Sequence, residues 1–145
     1  RRVLFRSVVE QQINQPLGRV WKAITRKDEM TAWFFPQIEE FEPEIGFETA
    51  FDVSFDGKTY RHLWKVTEVS PPHQLTLNWR YAGYPGDSFV TFELIPQEEK
   101  TKVRLTHSFV ERFPANDPVF SRQSTLEGWE YFIRQSLKNY LEKNG

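Results

Sequence analysis

The stretch STLEGWEYFIRQSLKNYLEK, residues 124–143, decides the fold. Leu126, Trp129, Ile133, Leu137 and Tyr140 or Leu141 recur at steps of three and four, which lines one face of a helix. Phe132 widens that apolar stripe, while Glu127, Glu130, Arg134, Lys138 and Glu142 fall mostly elsewhere. Ser124 with Glu127 three residues on reads as a capping box, and Asn144-Gly145 as a helix stop. Such a helix is a rod of about 30 Å. Its stripe needs an apolar sheet to cover it.

Working back from that helix, the chain supplies the sheet. Residues 47–55 alternate, with Phe47, Thr49, Phe51, Val53 and Phe55 on one face, and Asp56-Gly57 is a hairpin turn. The return run, 59–69, places Tyr60, His62, Trp64 and Val66 together, and Ser70-Pro71-Pro72 breaks it. Residues 73–81 align Leu75, Leu77 and Trp79; after a Gly/Pro loop, 89–95 align Val90, Phe92 and Leu94. Beyond the Glu98-Glu99-Lys100 turn, 101–109 align Val103, Leu105, His107 and Phe109. Short turns between these runs predict an antiparallel meander. Residues 110–123, with Pro114 and Asp117-Pro118, read as a loop or short helical turn. At the other end, 3–13 alternate as a strand, with Phe5, Ser7, Val9, Gln11 and Ile13 on one face. Two short helical stripes follow: Val20, Trp21 and Ile24 after Pro16, then Met30, Trp33 and Phe34 before Pro36. The expectation is an α+β fold, one domain over residues 1–145. A curved antiparallel sheet of about six strands wraps the long C-terminal helix, with two short helices after strand 1.

Composition narrows the function classes. With 13 Phe and 5 Trp in 145 residues, large rings must fill the core or line a hollow in it. A net charge of −1 argues against a dedicated nucleic-acid binder. The charge is nevertheless uneven: residues 1–27 carry seven basic residues and one acid, residues 28–56 nine acids and no base. Those segments read either as solvated faces that pair with each other or as a charged docking surface for a protein, centred on residues 39–48. The absence of Cys excludes disulfides and thiolate chemistry and fits a reducing compartment. No apolar run reaches membrane-spanning length and no signal peptide is visible, so a cytoplasmic protein is expected.

Four stretches together carry a resemblance. QPLGRVWKAIT (15–25), MTAWFFP (30–36), WKVTEVSPPHQLTLNW (64–79) and TKVRLTH (101–107) with Gly128-Trp129 resemble the START-like helix-grip superfamily. Within it they are similar to the group named after the activator of the heat-shock protein 90 ATPase. The resemblance implies a helix gripped by a sheet. It also implies a choice of roles, because the superfamily includes sterol and lipid carriers, polyketide cyclases, plant hormone receptors and co-chaperone domains. One departure stands out: where members often have Gly, this chain has Trp64, which is expected to narrow any internal space.

Site chemistry in the sequence is sparse. His62, His73 and His107 lie on different runs, with no Cys and no i, i+4 pair, so neither a metal nor another cofactor is expected. No Ser-His-Asp order, phosphate loop or carboxylate pair is present. No catalytic residue is assigned; His107 and His62 are the weak candidates, and each reads more readily as a core histidine held by one hydrogen bond. The remaining signal is the aromatic set. Phe35, Trp64, Leu77, Trp79, Phe92, Leu105 and His107 are expected to face Trp129, Phe132 and Ile133 across the space between sheet and helix. That set predicts a pocket for a small apolar or amphipathic molecule, with His107 supplying one oriented hydrogen bond. Gly128 points the same way, since Gly inside a helix costs about 1 kcal/mol relative to Ala and implies a loop or ligand close to the backbone. The expected function is non-enzymatic ligand binding. A co-chaperone-like module docking on a chaperone or other protein, and a cyclase- or hydrolase-like enzyme, are the alternatives.

Overall fold

The computed structural model describes residues 2–144, and the expected stop at Gly145 lies outside them. Six strands form one antiparallel sheet in the order β1-β6-β5-β4-β3-β2. They are β1 (Phe5–Ile13), β2 (Glu48–Phe55), β3 (Lys58–Ser70), β4 (Gln74–Tyr81), β5 (Asp87–Gln97) and β6 (Lys100–Glu111). The helices α1 (Leu17–Thr25) and α2 (Lys27–Trp33) fall between β1 and β2, where the two apolar stripes place them. They are separated by Arg26 alone, which is extended.

Alternation holds along the strands with two exceptions: Phe55, expected on the inner face of β2, is exposed, and Thr76 on β4 is buried together with its neighbours Leu75 and Leu77. Leu75, Leu77, Val90, Val103 and Leu105 are fully buried, and the long β3 turns Tyr60, His62, Trp64 and Val66 inward. Register brings the large residues of adjacent strands side by side: Trp64 pairs with Trp79, Trp79 with Ser88, and Leu105 with both Phe92 and Val9. The sheet therefore presents one continuous apolar face, which the last helix covers.

That helix runs from α3 (Arg122–Trp129) through a π-helical stretch (Glu130–Leu137) into α4 (Lys138–Asn144). It starts one turn earlier than the capping-box reading places it. Ser121 is the cap, its Oγ accepting from the Ser124 N–H at 3.0 Å, because a 3₁₀ turn at Pro118–Phe120 delivers the chain in position. Leu126 is correspondingly outside the stripe and exposed. The residues that are buried, Trp129, Ile133, Leu137 and Leu141, sit at strict steps of four. In a regular α-helix each such step drifts by about 40° around the axis. The wider π turn unwinds the helix and cancels that drift, so all four face the sheet.

The short helices close one end of the groove. Trp33 Nε1 donates to the Ala23 carbonyl at 2.7 Å, tying α2 to α1, and Ser136 Oγ donates to the Trp33 carbonyl, tying both to the long helix. At the end of α2 the backbone of Phe34 (φ −106, ψ −97) turns its ring into the space between sheet and helix. There it lies 4.9 Å from Phe132, 5.8 Å from Trp129 and 6.2 Å from Phe92, centre to centre. Phe34 fills the middle of the grip.

Candidate functional site

With the middle filled, the open space is displaced toward the ends of β4 and β6. A hollow of about 120 Å³ lies there, bounded by sheet residues, by the 110–121 segment and by the first turns of α3. Five of the expected pocket residues line it: Phe35, Trp79, His107, Trp129 and Phe132. The other five do not. Leu77, Phe92, Leu105 and Ile133 are packed solid. Trp64 is also out of the hollow, its ring held 4.8 Å from Phe51 and 5.0 Å from Trp79. The large ring at position 64 thus occupies core volume, and its Nε1 is buried without a hydrogen-bond partner among the described residues.

The remaining wall comes from residues that strand and helix periodicity does not assign. Phe113 and Phe120 stack at 5.4 Å, and Phe120 lies 5.0 Å from Tyr81. Asp117 anchors this segment: its carboxylate accepts from the Tyr60 hydroxyl at 3.0 Å and from the Val119 N–H at 3.1 Å. Phe113 is seated directly on Gly86, whose φ of +123 and missing side chain permit the approach. Ser124 and Thr125 bring hydroxyls to the wall, and Gly128 completes it. A Cβ built on Gly128 meets nothing within 4 Å, so no loop approaches this glycine and its missing side chain is part of the hollow. Val119 and Ser124 also border an outer cleft of about 380 Å³ beside Phe55, Asp56 and Lys58 of the β2–β3 hairpin.

His107 is the floor, and its bonding is closed. Trp129 Nε1 donates to its Nδ1 at 3.0 Å; an indole N–H only donates, so Nδ1 carries no proton. The proton therefore sits on Nε2, which donates to Ser88 Oγ at 2.9 Å, and Ser88 passes its own hydrogen to the Trp79 carbonyl at 2.7 Å. Burial pushes the imidazole down to about 3, keeping it neutral. Neither ring nitrogen is left for a ligand or a substrate proton. The expectation that His107 orients a ligand is corrected accordingly: it orients Trp129.

His62 is different. It is 6% exposed, and its Nδ1 lies 3.1 Å from the Tyr60 carbonyl, so Nδ1 must donate and Nε2 is a bare acceptor. Burial lowers its pKa to about 4, so the ring is neutral. No group among the described residues bonds Nε2. Tyr81 packs edge-on 4.8 Å away, its oxygen accepting from Trp79 Nε1 at 2.9 Å, with the phenol proton unclaimed by any described residue. Burial raises that phenol to about 12. His73, in a turn, is exposed. Among the described residues no cluster of three or more His, Asp or Glu is arranged to hold a metal ion.

The acidic segment is built as a separate surface. Ile38 and Phe41 are buried and pin it, while Glu39, Glu40, Glu42, Glu44 and Glu48 are exposed. None of the five forms an ion pair among the described residues. Among the described residues the basic first segment forms ion pairs with the acidic one only at Arg19–Glu29 (2.6 Å) and Arg26–Asp28 (3.8 Å). Ile45, 71% exposed, projects from the same segment. Among the described residues no helix is long and apolar enough to cross a membrane.

Comparison with known proteins places this fold and chain. The model of the family described as Activator of Hsp90 ATPase homolog 1-like protein matches residues 14–142, and the chain belongs to that family. No curated protein matches. Among solved structures, protein MLL2253 from Mesorhizobium loti is 26% identical, with a TM-score of 0.73, covering 97% of this chain and 99% of that one. The Aha1 dimer from Colwellia psychrerythraea is 23% identical, TM-score 0.68, with 96% and 97% covered. DynU16, a protein in the dynemicin biosynthetic locus, is 23% identical with a TM-score of 0.74; this chain covers 48% of it and 96% of itself is covered. The last two likenesses concern the fold alone.

Proposed function

We propose that this member of the Activator of Hsp90 ATPase homolog 1-like family binds a small, largely apolar molecule in the hollow beside Gly128. One observation carries the reading. A helical glycine, costly to the helix, lines an aromatic-walled hollow at a point where an added Cβ would meet no atom within 4 Å. The volume, about 120 Å³, is near the roughly 150 Å³ of an apolar cavity known to take benzene, and far below the roughly 300–1,000 Å³ of drug-sized sites. The fitting ligand is therefore of single-ring size, or a longer amphipathic molecule whose tail passes Val119 and Ser124 into the outer cleft. Sterols and multi-ring flavonoids are too large for the hollow as it stands. A titration of Trp emission with single-ring arenes, fatty acids and sterols tests this, since Trp79 and Trp129 form the wall. Saturable change with single-ring arenes and none with sterols is the expected result. No saturable change with any class ends the reading.

A second reading rests on a different surface. Five glutamates without an ion pair among the described residues, around exposed Ile45, suit a basic protein partner with an apolar contact at its centre. Reversing Glu39, Glu40, Glu42 and Glu44 together to Lys should leave the fold stable, because exposed charges contribute about 0–1 kcal/mol each. Any protein partner that uses this face should be lost on reversal and weakened by salt. A partner bound equally by both forms would remove this surface from consideration.

A further inference from the structure

We infer that the hollow selects an uncharged hydroxyl-bearing ring, a phenol, by gripping its hydroxyl between His62 Nε2 and the Tyr81 hydroxyl. The inference rests on the hollow being the binding site. It starts from an inventory of hydrogen-bonding capacity in the inner wall. The carbonyl of Tyr60 forces the His62 proton onto Nδ1, so Nε2 offers a lone pair and nothing else. The indole of Trp79 occupies one lone pair of the Tyr81 oxygen, so that hydroxyl offers its hydrogen. The two rings are 4.8 Å apart and both line the hollow. His107, the third polar ring, is closed by Trp129 and Ser88 and offers neither donor nor acceptor.

One acceptor and one donor, carried by rings whose centres lie 4.8 Å apart, are the complement of a hydroxyl, which gives a hydrogen and takes one at the same atom. An ether satisfies Tyr81 alone, and a hydrocarbon satisfies neither. A carboxylate is excluded on two grounds. It has no hydrogen for His62, and no charged residue lines the hollow to offset its desolvation. An ammonium meets the second objection equally. Both groups hold these protonation states over the whole ordinary pH range, since burial lowers the imidazole and raises the phenol. Apart from Val119, Ser124, Thr125 and Gly128 on the outer side, the rest of the wall is aromatic rings, which suits an aromatic body over an aliphatic one.

The test uses the whole chain and four probes of one size: phenol, anisole, toluene and benzoate. Binding is followed by the indole N–H resonances of Trp79 and Trp129 in nitrogen–proton correlation spectra. Phenol should bind at least about tenfold more tightly than toluene, with anisole between them and benzoate showing no saturation. In Tyr81→Phe, anisole should fall to the level of toluene while phenol keeps part of its advantage. In His62→Phe, phenol should fall to the level of anisole; either variant alone decides the matter if the other does not fold. Toluene binding as well as phenol to the unaltered chain overturns the inference and leaves the ligand-binding reading standing. Tightest binding by benzoate overturns it too. Absence of saturable binding by all four probes overturns both.

Discussion

Replacing Gly128 with Ala should make the protein more stable and a worse binder at once. Gly128 lies within α3, where a glycine costs about 0.8–1 kcal/mol relative to alanine, and the added Cβ meets no atom within 4 Å. Nothing offsets that gain, so thermal unfolding should move up by roughly 2–4 °C for a domain of this size. The methyl group enters the hollow. It is comparable in bulk with the roughly 30 Å³ share of one water, about a quarter of the 120 Å³ present. A ring that fills the hollow must then move or strain the wall, and overpacking of this kind costs about 1–3 kcal/mol. That converts to roughly 5- to 150-fold in Kd for a single-ring arene. The assay pairs a melting curve without ligand with an arene titration followed by Trp emission. A lowered melting temperature would mean that the glycine is packed against something. An unchanged Kd would mean that the ring binds elsewhere.

Other consequences are as specific. Trp129→Ala should cost about 3–5 kcal/mol for the lost ring, and Trp129→Phe about 1–3 kcal/mol for leaving the buried His107 Nδ1 without its donor; urea midpoints separate the two, and a near-wild-type Phe variant would show that the bond contributes nothing. Gly86→Ala should lose about 1–3 kcal/mol, since its Cβ would fall 1.9 Å from Phe113 Cδ1 at a φ of +123. It should also weaken arene binding by displacing Phe113, and a variant with unchanged stability and affinity would refute that seating. Acid should unfold the protein through its histidines. His62 and His107 have folded pKa values of about 4 and 3, below the unfolded value near 6.5. Below pH ~6.5 the unfolded chain therefore takes up protons that the native one refuses. Stability should fall with decreasing pH by up to about 1.4 kcal/mol per unit for each histidine, down to those folded values, with no contribution above pH ~7. Urea midpoints that stay constant between pH 7.5 and 5 would show that the rings are not held neutral.

The fold was legible because its signals are periodic. The inward faces assigned from alternation are inward in the structure, from Ser7 and Val9 on β1 to His107 and Phe109 on β6, because an antiparallel sheet with one covered face admits only one phase; the exception is Phe55, 61% exposed where β2 runs past the covered part of the sheet. The long helix was legible from its stripe, yet its start was not. Ser124 with Glu127 and Ser121 are both plausible caps in isolation. Ser121 wins because Asp117, held by Tyr60 from β3, sets the 3₁₀ turn ahead of it, a contact 57 residues away in sequence. The π-helical stretch leaves only a faint trace, the strict four-residue step from Trp129 to Leu141, which a reading in threes and fours absorbs without notice.

The lining of the hollow was half legible, and the division has a physical cause. Trp79, His107 and Trp129 were found because the elements that carry them have a period. The closing wall comes from Phe113 and Phe120, in a segment with no period, so nothing in the local pattern says that two rings in an otherwise polar loop must fold inward. Their presence there was itself a usable signal, since two Phe exposed in such a loop would be hard to reconcile with a soluble surface. The middle of the pocket failed for another reason. Phe34 reads as the last residue of a helical stripe, and only its backbone at φ −106, ψ −97 reveals that it leaves the helix to fill the grip. Once Phe34 and Trp64 occupy the centre, the hollow has to lie at the end where Gly128 stands. Its polar contacts then pass from His107, sealed by Trp129 and Ser88, to His62 and Tyr81. Which histidine keeps a free ring nitrogen follows from where the tryptophans donate: Trp129 closes His107, while Trp79 donates to Tyr81 and leaves His62 Nε2 open.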